Sequence, residues 1–230
     1  MADKTERVES GILGLDPLID GGFVKGSTNL VAGMTGTCKT IFCCQYIWQG
    51  LKSGEPGLYV SLEQNSDEIR EEVASFGFDF DPYIKSKKCV FADELPTSFA
   101  KLEKSVFDKI VKTNAKRFVL DSLSIMQMGL EEPTSAPKLR RDLFKFLKAL
   151  KTMGVTSLLI TEIPENDPKR LSRAGFEEFV ADGVIILNYL EYAAGGVPRS
   201  LLIRKMRKTN HGVDIYPFEI TKKGVVIKKT

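Results

Sequence analysis

Short apolar runs without polar alternation recur along most of the chain, and segments with helical periodicity lie between them. Uninterrupted apolar runs are typical of strands that helices cover on both faces. We predict strands at 29–32, 58–62, 89–91, 118–120, 156–160 and 184–187, and helices at 40–52, 66–76, 99–113 and 137–152. This alternation predicts an α/β fold with a mostly parallel central sheet flanked by helices.

The pattern changes after residue 183, where strand-like runs follow one another without a helix between them. These runs lie at 183–190, 200–207, 215–220 and 225–228, and the segment 193–198, rich in glycine and ending in proline, is typical of a hairpin loop. They predict a C-terminal antiparallel β extension at one edge of the sheet. The chain has 230 residues and shows no linker or repeat. These features favour a single domain that spans residues 1–230.

Composition narrows the possible classes of protein. A hydrophobic content of 43% suffices for a core, and a net charge of +3 is too small to indicate nucleic acid on its own. The sequence has no apolar run long enough for a membrane span, and its charged N-terminus does not resemble a signal peptide. The four cysteines lack the paired spacing of a zinc site, and a single histidine excludes a multi-histidine metal centre. We therefore expect a cytoplasmic protein without a membrane partner.

The segment 28–40, Thr-Asn-Leu-Val-Ala-Gly-Met-Thr-Gly-Thr-Cys-Lys-Thr, carries the most informative chemistry. A buried strand runs into a glycine-bearing loop that ends in Lys39 and Thr40. Such a loop surrounds phosphates with backbone N–H groups at a helix N-terminus, with the lysine on the β- and γ-phosphates and the threonine on Mg²⁺. A chance match in a βα turn is the alternative for this loop taken alone. The predicted nucleotide-binding residues are Gly33, Met34, Thr35, Gly36, Thr37, Cys38, Lys39, Thr40 and Ile41.

One residue departs from the usual G-x-x-x-x-G-K-[ST] pattern, because Cys38 stands where glycine is expected. We expect Gly33 and Gly36 to lie where the loop needs positive φ and close backbone approach. Cys38 should lie at the start of the helix, where a small side chain is tolerated. The sequence leaves open whether Cys38 is a neutral variation or a redox-sensitive brake, since a thiol beside phosphates and a helix N-terminus could have a lowered pKa.

Acidic residues follow three of the predicted strands. Because parallel sheets place ligands at the carboxyl ends of their strands, these residues are candidates for chemistry at a phosphate. Asp121 fits a Walker B aspartate that holds Mg²⁺ through water, although an ordinary aspartate at a strand end fits equally well. Glu63 could polarise an attacking water, with a capping or solvated role as the alternative. Thr161 and Glu162 could sense the γ-phosphate.

The segment 205–211, Lys-Met-Arg-Lys-Thr-Asn-His, holds the remaining candidates. On a strand, Lys205 and Arg207 project to the same face because the side-chain period is two. They fit either a solvated edge that discourages aggregation or arginine-finger groups that neutralise charge on a transferring phosphate. His211, taken alone, more often has a structural role.

Taken together, these motifs resemble the KaiC-like branch of the RecA superfamily of ATPases over about 11–226. The resemblance rests on the phosphate loop and on five further segments in the family's order: Gly-Ile-Leu-Gly-Leu-Asp-Pro-Leu-Ile-Asp-Gly-Gly at 11–22, Glu-Pro-Gly-Leu-Tyr-Val-Ser-Leu-Glu at 55–63, Val-Leu-Asp-Ser at 119–122, 175–187 and 205–211.

The resemblance implies a RecA-like P-loop fold that assembles into a ring, most simply a homohexamer, with ATP in the clefts between subunits. It implies that Lys39 and Thr40 hold phosphate and Mg²⁺, that Asp121 supports the metal, and that Glu63 orients water. Lys205 and Arg207 would reach the γ-phosphate bound to the neighbouring subunit. His211 would line the same nucleotide from across the interface.

Three departures from the family modify the expected activity. Many relatives carry two adjacent acids where this chain has Glu63 and Gln64, and Cys38 replaces the loop glycine. Relatives that autophosphorylate do so on a Ser-Thr pair, whereas the matching region here reads Glu-Glu-Phe at 177–179. We therefore expect a slow Mg²⁺-dependent ATPase without autokinase activity, whose hydrolysis switches its interaction with a regulatory protein partner.

Two other functions remain open. The segment 164–173 carries Lys169, Arg170 and Arg173 and could contact single-stranded DNA, as in related recombinases. A solvated surface loop is the favoured interpretation, because the segment lacks aromatic residues that stack on bases. The chain could also be a non-hydrolysing nucleotide sensor in which ATP holds the subunits together.

Overall fold

The computed structural model describes residues 5–95, 97–128, 135–167, 170–190 and 199–228. Its strands are β1 Arg7–Val8, β2 Phe23–Val24, β3 Thr28–Gly33, β4 Gly57–Ser61, β5 Cys89–Asp93, β6 Arg117–Asp121, β7 Thr156–Glu162, β8 Gly183–Tyr189, β9 Arg199–Met206, β10 Ile215–Thr221 and β11 Gly224–Ile227. Its helices are α1 Lys39–Lys52, α2 Ser66–Ala74, α3 Asp81–Lys85, α4 Phe99–Thr113, α5 Leu123–Met128, α6 Ala136–Thr152 and α7 Glu177–Val180.

Nine strands form the central sheet in the order β11-β10-β9-β8-β3-β7-β6-β4-β5. The pairs from β8 to β5 are parallel, and β9, β10 and β11 are added antiparallel at the β8 side. The predicted fold class is therefore confirmed, including the antiparallel C-terminal extension. The predicted hairpin loop 193–198 lies outside the described residues.

Helices cover both faces of the sheet, which explains the apolar runs at the centres of the strands. In β3, Val31 belongs to the core shared with α1, α2 and α3, whereas Leu30 and Ala32 belong to the core under α4 and α6. Successive strand residues face opposite sides, so a strand covered on both sides favours apolar residues at successive positions.

The predicted helices form where their periodicity and end signals agree. In α4, Phe99, Leu102, Val106 and Ile110 are buried on one stripe. The helix begins after Ser98, whose hydroxyl accepts a hydrogen bond from the Lys101 N–H at 3.3 Å. Helix α2 ends at Ala74 rather than at the predicted residue 76, and β5 extends to Asp93 rather than 91.

Several short elements escaped the sequence pattern, namely helices α3, α5 and α7 and the strand pair β1–β2. The antiparallel pair β1–β2 has two residues per strand, too few to show a period. Arg7 stabilises it by donating from Nη1 to the carbonyl oxygens of Ile19 and Gly22, both at 3.0 Å. A Cβ at Gly22, where φ is 134°, would lie 2.3 Å from the Val8 carbonyl oxygen, so this approach requires glycine.

Within the described ranges, each helix is too short or too polar to cross a lipid bilayer.

Candidate functional site

The loop between β3 and α1 is closed by its own side chains. Lys39 donates from Nζ to the carbonyl oxygens of Gly33 at 3.0 Å and Met34 at 2.9 Å. The buried Thr37 hydroxyl donates to the same Met34 carbonyl at 2.8 Å. Because an ammonium has three N–H donors, Lys39 keeps one for a ligand above the N-terminus of α1. Thr35 and Gly36 are exposed at the tip of the loop, and Ile41 is buried in the first turn of α1.

The backbone of this loop corrects the expected distribution of positive φ. Gly36 adopts φ 76°, as predicted, but Gly33 does not adopt positive φ. Gly33 is instead required by close packing, because a Cβ there would lie 2.6 Å from the Leu187 carbonyl oxygen. Cys38 itself adopts φ 71° and ψ 32°, in the left-handed region. The cysteine therefore occupies a conformation that favours the glycine of the usual pattern.

The structure favours a raised pKa for the Cys38 thiol over the lowered one that the sequence left open. Burial raises the pKa of this thiol, and the nearby Arg199 guanidinium opposes that effect without reversing it. A lowered pKa would follow from the charges around the thiol alone, whereas desolvation of the thiol is the larger contribution.

Asp121 lies at the carboxyl end of β6, where two hydroxyl groups meet its carboxylate. Thr40 donates to Oδ2 at 3.0 Å, and Tyr59 on β4 donates to the same oxygen at 2.6 Å. Only 9% of Asp121 is exposed. Burial raises the pKa of Asp121, whereas the hydrogen bonds from Tyr59 and Thr40 act to lower it. A buried carboxylate beside a threonine hydroxyl is a donor set that suits Mg²⁺, which prefers oxygen ligands and retains waters.

Glu63 extends from the end of β4 towards the same edge. Its Oε1 accepts a hydrogen bond from the Ser122 hydroxyl at 2.5 Å, and Ser122 directly follows Asp121. Glu63 is exposed, whereas Ser122 is buried. The bond engages one carboxylate oxygen of an exposed residue, an arrangement in which the carboxylate could hold a water molecule.

The predicted residues at this edge lie close enough to affect one another's ionisation. Burial lowers the pKa of Lys39, and the carboxylates of Glu162, Asp121 and Glu63 oppose that change. Glu162 ends β7; its N–H donates to the Ser124 hydroxyl at 2.9 Å, and its carboxylate lies 3.5 Å from Arg173. The carboxyl ends of β3, β4, β6 and β7 thus bring the loop and three acidic side chains together.

Lys205, Arg207 and His211 do not join this group. Strand β9 runs antiparallel to β8, so Arg199 pairs with Tyr189 at the carboxyl edge and Met206 pairs with Gly183 at the opposite edge. Lys205 donates to the carbonyl oxygens of Glu178 at 2.9 Å and Ala181 at 2.6 Å.

Arg207 and His211 also have local partners at that opposite edge. Arg207 lies just beyond β9, where it donates to the Phe179 carbonyl at 3.4 Å and lies 3.6 Å from Asp182. His211 shares a hydrogen bond with the Gly212 carbonyl at 2.8 Å. These side chains therefore lie away from the loop of their own chain.

The profile of the family described as "ATPase: KaiC" matches residues 8–230. The chain belongs to the KaiC family of ATPases. Family membership and the loop geometry make it a nucleotide-binding ATPase of the P-loop class, as the motifs predicted.

Individual relatives agree with this assignment. A UPF0273 protein of Thermotoga maritima is 35% identical, with 96% of each chain covered. The circadian clock protein KaiC3 of Synechocystis is also 35% identical, but the match covers 98% of this chain and 46% of that protein. The crystal structure of a KaiC-like protein from the hyperthermophilic archaeon Pyrococcus horikoshii has a TM-score of 0.87 and 42% identity, and the match covers 98% of this chain and 100% of that one.

Sequence reasoning missed several side chains that complete the surroundings of this KaiC-family loop. Tyr59 and Ser122 contact the two predicted carboxylates, and the Tyr189 hydroxyl would lie 2.5 Å from a Cβ at Gly36. The Arg199 guanidinium lies 5.5 Å from the centre of the Tyr189 ring. Tyr59 alone gave a usable signal, because a tyrosine inside an apolar strand needs a partner for its hydroxyl.

Proposed function

We propose that this KaiC-family chain is a slow Mg²⁺-dependent ATPase that works as a ring-shaped, nucleotide-driven switch. The observation that carries the proposal is the pair of hydroxyl–carboxylate contacts beside the phosphate loop. Thr40 contacts Asp121 at 3.0 Å, and Ser122 contacts Glu63 at 2.5 Å. Hydrolysis of ATP to ADP and phosphate needs a metal-side carboxylate and a water-orienting group, and this edge supplies one candidate for each.

Each residue of the site has a stated task in this proposal. The backbone N–H groups of the loop and the Lys39 ammonium bind the phosphates. Thr40 and Asp121 hold Mg²⁺, which when bound neutralises charge on the phosphate oxygens. Glu63 accepts a proton from the attacking water while Ser122 holds its carboxylate in place. Glu162 lies where it can respond to the γ-phosphate.

Assembly would complete the site. Because β9 carries Lys205 and Arg207 to the edge opposite the loop, these cations can act only on the nucleotide of another copy. His211 would line that nucleotide from the same side. We infer a homohexamer, as in the family's ring architecture. In such a ring, hydrolysis depends on the neighbouring subunits. A regulatory protein partner would then bind a surface that changes with the nucleotide.

Slow hydrolysis and the absence of autophosphorylation are inferred from the sequence. Gln64 cannot act as a second base beside Glu63, and Cys38 holds a left-handed backbone conformation in the loop. The region that matches the family's phosphorylated pair has Glu177, Glu178 and Phe179, which offer no hydroxyl acceptor. We also infer a reducing cytoplasmic compartment, since the four cysteines are free thiols and Cys43, Cys44 and Cys89 are buried.

Single-stranded DNA is the less favoured ligand. Lys169 lies outside the described residues, and the other two cations of that loop have acidic neighbours. Arg170 lies 3.5 Å from Asp167, and Arg173 lies 3.5 Å from Glu162. Salt-sensitive DNA binding that is lost on reversing these charges would favour the alternative.

The experiment combines ATP binding, steady-state hydrolysis and light scattering on the same samples. Lys39→Ala should lose ATP binding. Glu63→Gln should bind ATP and assemble, but its hydrolysis rate should fall about a hundred-fold or more. Arg207→Ala should bind ATP and lose hydrolysis, whereas Arg204→Ala, at an exposed arginine of β9, should retain it.

Three results would contradict parts of the proposal. Equal inactivity of the parent and Glu63→Gln, with ATP binding and assembly intact, would establish the non-hydrolysing sensor. Full activity of Arg207→Ala would refute a role for a neighbouring copy. A rate of ATP hydrolysis comparable to that of fast motor ATPases would refute the proposal of slow hydrolysis.

A further inference from the structure

Three turns lie side by side at the edge of the sheet away from the phosphate loop, where β4, β5 and β6 begin. They comprise residues 50–56, 82–88 and 110–116. The Pro56 carbonyl accepts a hydrogen bond from the Lys116 N–H at 2.8 Å, and the Gly57 N–H donates to the Lys88 carbonyl at 3.0 Å. Because β6, β4 and β5 are neighbours in the sheet and parallel, these contacts hold the turns together as one surface.

This surface is strongly basic, although the whole chain has a net charge of only +3. Glu55 is the one acidic residue of the three turns, and its carboxylate lies 2.6 Å from the Nε of the buried Arg117. Six exposed lysines form what we call the lysine patch: Lys52, Lys85, Lys87, Lys88, Lys112 and Lys116. Within the described ranges, no carboxylate lies at ion-pair distance from any of them.

Helix stability explains only half of the lysine patch. A cation in the last turn of a helix interacts favourably with the helix dipole. That accounts for the three lysines in the last turns of α1, α3 and α4. Lys87, Lys88 and Lys116 lie beyond the helix ends, in the loops that lead into β5 and β6. These three charges need another reason.

Lys87 also has a backbone conformation that lysine rarely adopts, with φ 59°. The corresponding positions after α1 and α6 are Gly54, with φ 80°, and Gly154, with φ 71°. In all three turns, the N–H of this residue and the N–H of the next one donate back to the last helical turn. Glycine is the usual residue in such a turn, so a lysine there costs stability. A strained residue that the fold does not require indicates a role in binding.

We propose that the lysine patch binds an acidic segment of a partner protein, whose carboxylates pair with the lysines. Val111, 71% exposed beside Lys112, offers an apolar contact that a protein side chain can use and a phosphate backbone cannot. The three turns contain no arginine for bidentate phosphate binding. Their aromatic residue, Tyr83, is half-buried against Trp48, with ring centroids 5.6 Å apart, and does not present a face for stacking on bases.

A protein bound at the lysine patch leaves the phosphate loop open to nucleotide, because the two lie at opposite edges of the sheet. Helix α1 connects them, since Lys39 begins this helix at the loop and Lys52 ends it at the patch. A regulatory role for the acidic partner rests on the proposed function, whereas the contact itself is testable without hydrolysis.

Fluorescence anisotropy of a labelled peptide measures the contact. The probe is rich in glutamate with interspersed leucine, and a second peptide carries glutamine in place of each glutamate. The patch variant carries Lys87→Gly, Lys88→Gln and Lys116→Gln. It should bind the acidic peptide about ten-fold more weakly than the parent at low salt, because three exposed ion pairs of modest strength are lost. The glutamine peptide should bind neither protein.

The matched control removes the same number of charges from exposed lysines elsewhere, with Lys101→Gln, Lys104→Gln and Lys223→Gln. It should bind the acidic peptide like the parent, because net charge alone does not make the site. Circular dichroism, ATP affinity and light scattering on every sample should show the same fold, nucleotide binding and assembly.

Lys87→Gly alone separates binding from folding. Glycine relieves the left-handed backbone, so the midpoint of thermal unfolding should rise, whereas affinity for the acidic peptide should fall about two-fold or more. A lower midpoint or an unchanged affinity would overturn the assignment of Lys87 to a binding surface.

The remaining outcomes decide the kind of partner. No binding of the acidic peptide, equal binding by the patch variant and the parent, or equal loss in the control would overturn the proposal. DNA that binds more tightly than the peptide, and that the patch variant no longer binds, would assign the patch to nucleic acid instead. Loss of assembly in the patch variant would assign it to a second copy and overturn the proposal too. Peptide binding by a chain that does not hydrolyse ATP would refute the proposed function and leave the contact standing.

Discussion

Replacing Tyr59 with phenylalanine removes one hydroxyl from the surroundings of Asp121 and keeps the ring. Tyr59 is fully buried, and its ring stacks on Phe91 with centroids 5.0 Å apart, so the packing survives. Its hydroxyl donates to Asp121 Oδ2 at 2.6 Å. A hydrogen bond to a charged acceptor contributes about 1.5–3 kcal/mol to the free energy of unfolding, and we expect a loss of that size at neutral pH.

Tyr46→Phe is the matched control. Tyr46 is equally buried, and its hydroxyl donates at 3.0 Å to the neutral carbonyl oxygen of Thr156. Thr156 begins β7, at the edge of the sheet away from the phosphate loop. Because the acceptor is uncharged, the expected loss is about 0.5–1.5 kcal/mol. Urea unfolding of both variants and the parent measures the difference.

The pH dependence distinguishes the two variants further. Burial raises the pKa of Asp121 in the folded protein, and the bond from Tyr59 opposes that rise. Without this bond the folded pKa rises further above the unfolded value. The folded protein then binds the Asp121 proton more tightly than the unfolded chain does. This contribution to stability is lost as pH rises through the raised pKa. The penalty of Tyr59→Phe should therefore shrink in mild acid, whereas that of Tyr46→Phe should not change.

The same perturbation reaches the proposed metal site. Mg²⁺ needs an ionised carboxylate, so a higher pKa of Asp121 weakens its binding. Tyr59→Phe should raise the Mg²⁺ concentration for half-maximal hydrolysis, and Tyr46→Phe should leave it unchanged. Equal losses of stability at every pH, with the same Mg²⁺ dependence in both variants, would refute this account of Asp121.

Two further predictions concern backbone conformation and a buried charge. Cys38→Val places a β-branched residue at φ 71° and should lower stability by about 1–2 kcal/mol in thermal unfolding, while Cys38→Gly should match or exceed the parent. Arg117 is buried, and its Nε lies 2.6 Å from Glu55 Oε2. Replacing Arg117 with alanine should lower the free energy of unfolding by about 3–5 kcal/mol, because Glu55 and two backbone carbonyls lose their partner. Lys116→Ala, at the exposed neighbouring position, should change the urea midpoint little. Comparable effects at 116 and 117, or a destabilised Cys38→Gly, would contradict these arguments.

The sequence was sufficient to locate the main elements and the edge that carries the candidate site. Apolar runs such as 118–120 are unambiguous because both faces of the sheet are covered. Once the strands are parallel, residues that directly follow them must meet at one edge. This rule alone places Asp121, Glu63 and Glu162 near Lys39, before any contact is known.

Partners and conformations could not be predicted in the same way. A periodic pattern reports burial, but it does not report which hydroxyl reaches which carboxylate, so Tyr59 and Ser122 were not recognised. The left-handed conformation of Cys38 was missed because the pattern names a residue type and not a dihedral angle. The direction of the Cys38 pKa shift could not be settled because desolvation depends on packing that the sequence does not display.

The direction of one strand connects the fold with the proposed coupling between assembly and hydrolysis. Had β9 run parallel to β8, its C-terminal cations would end at the edge that carries the phosphate loop. Because β9 is antiparallel, Arg199 lies at that edge and Arg207 lies at the other, against α7. A single copy therefore holds the nucleotide-side half of the proposed site at one edge and the finger-side half at the opposite edge. In the proposed ring, neighbouring copies would join two such halves, so hydrolysis in one copy would depend on the cations that its neighbour supplies.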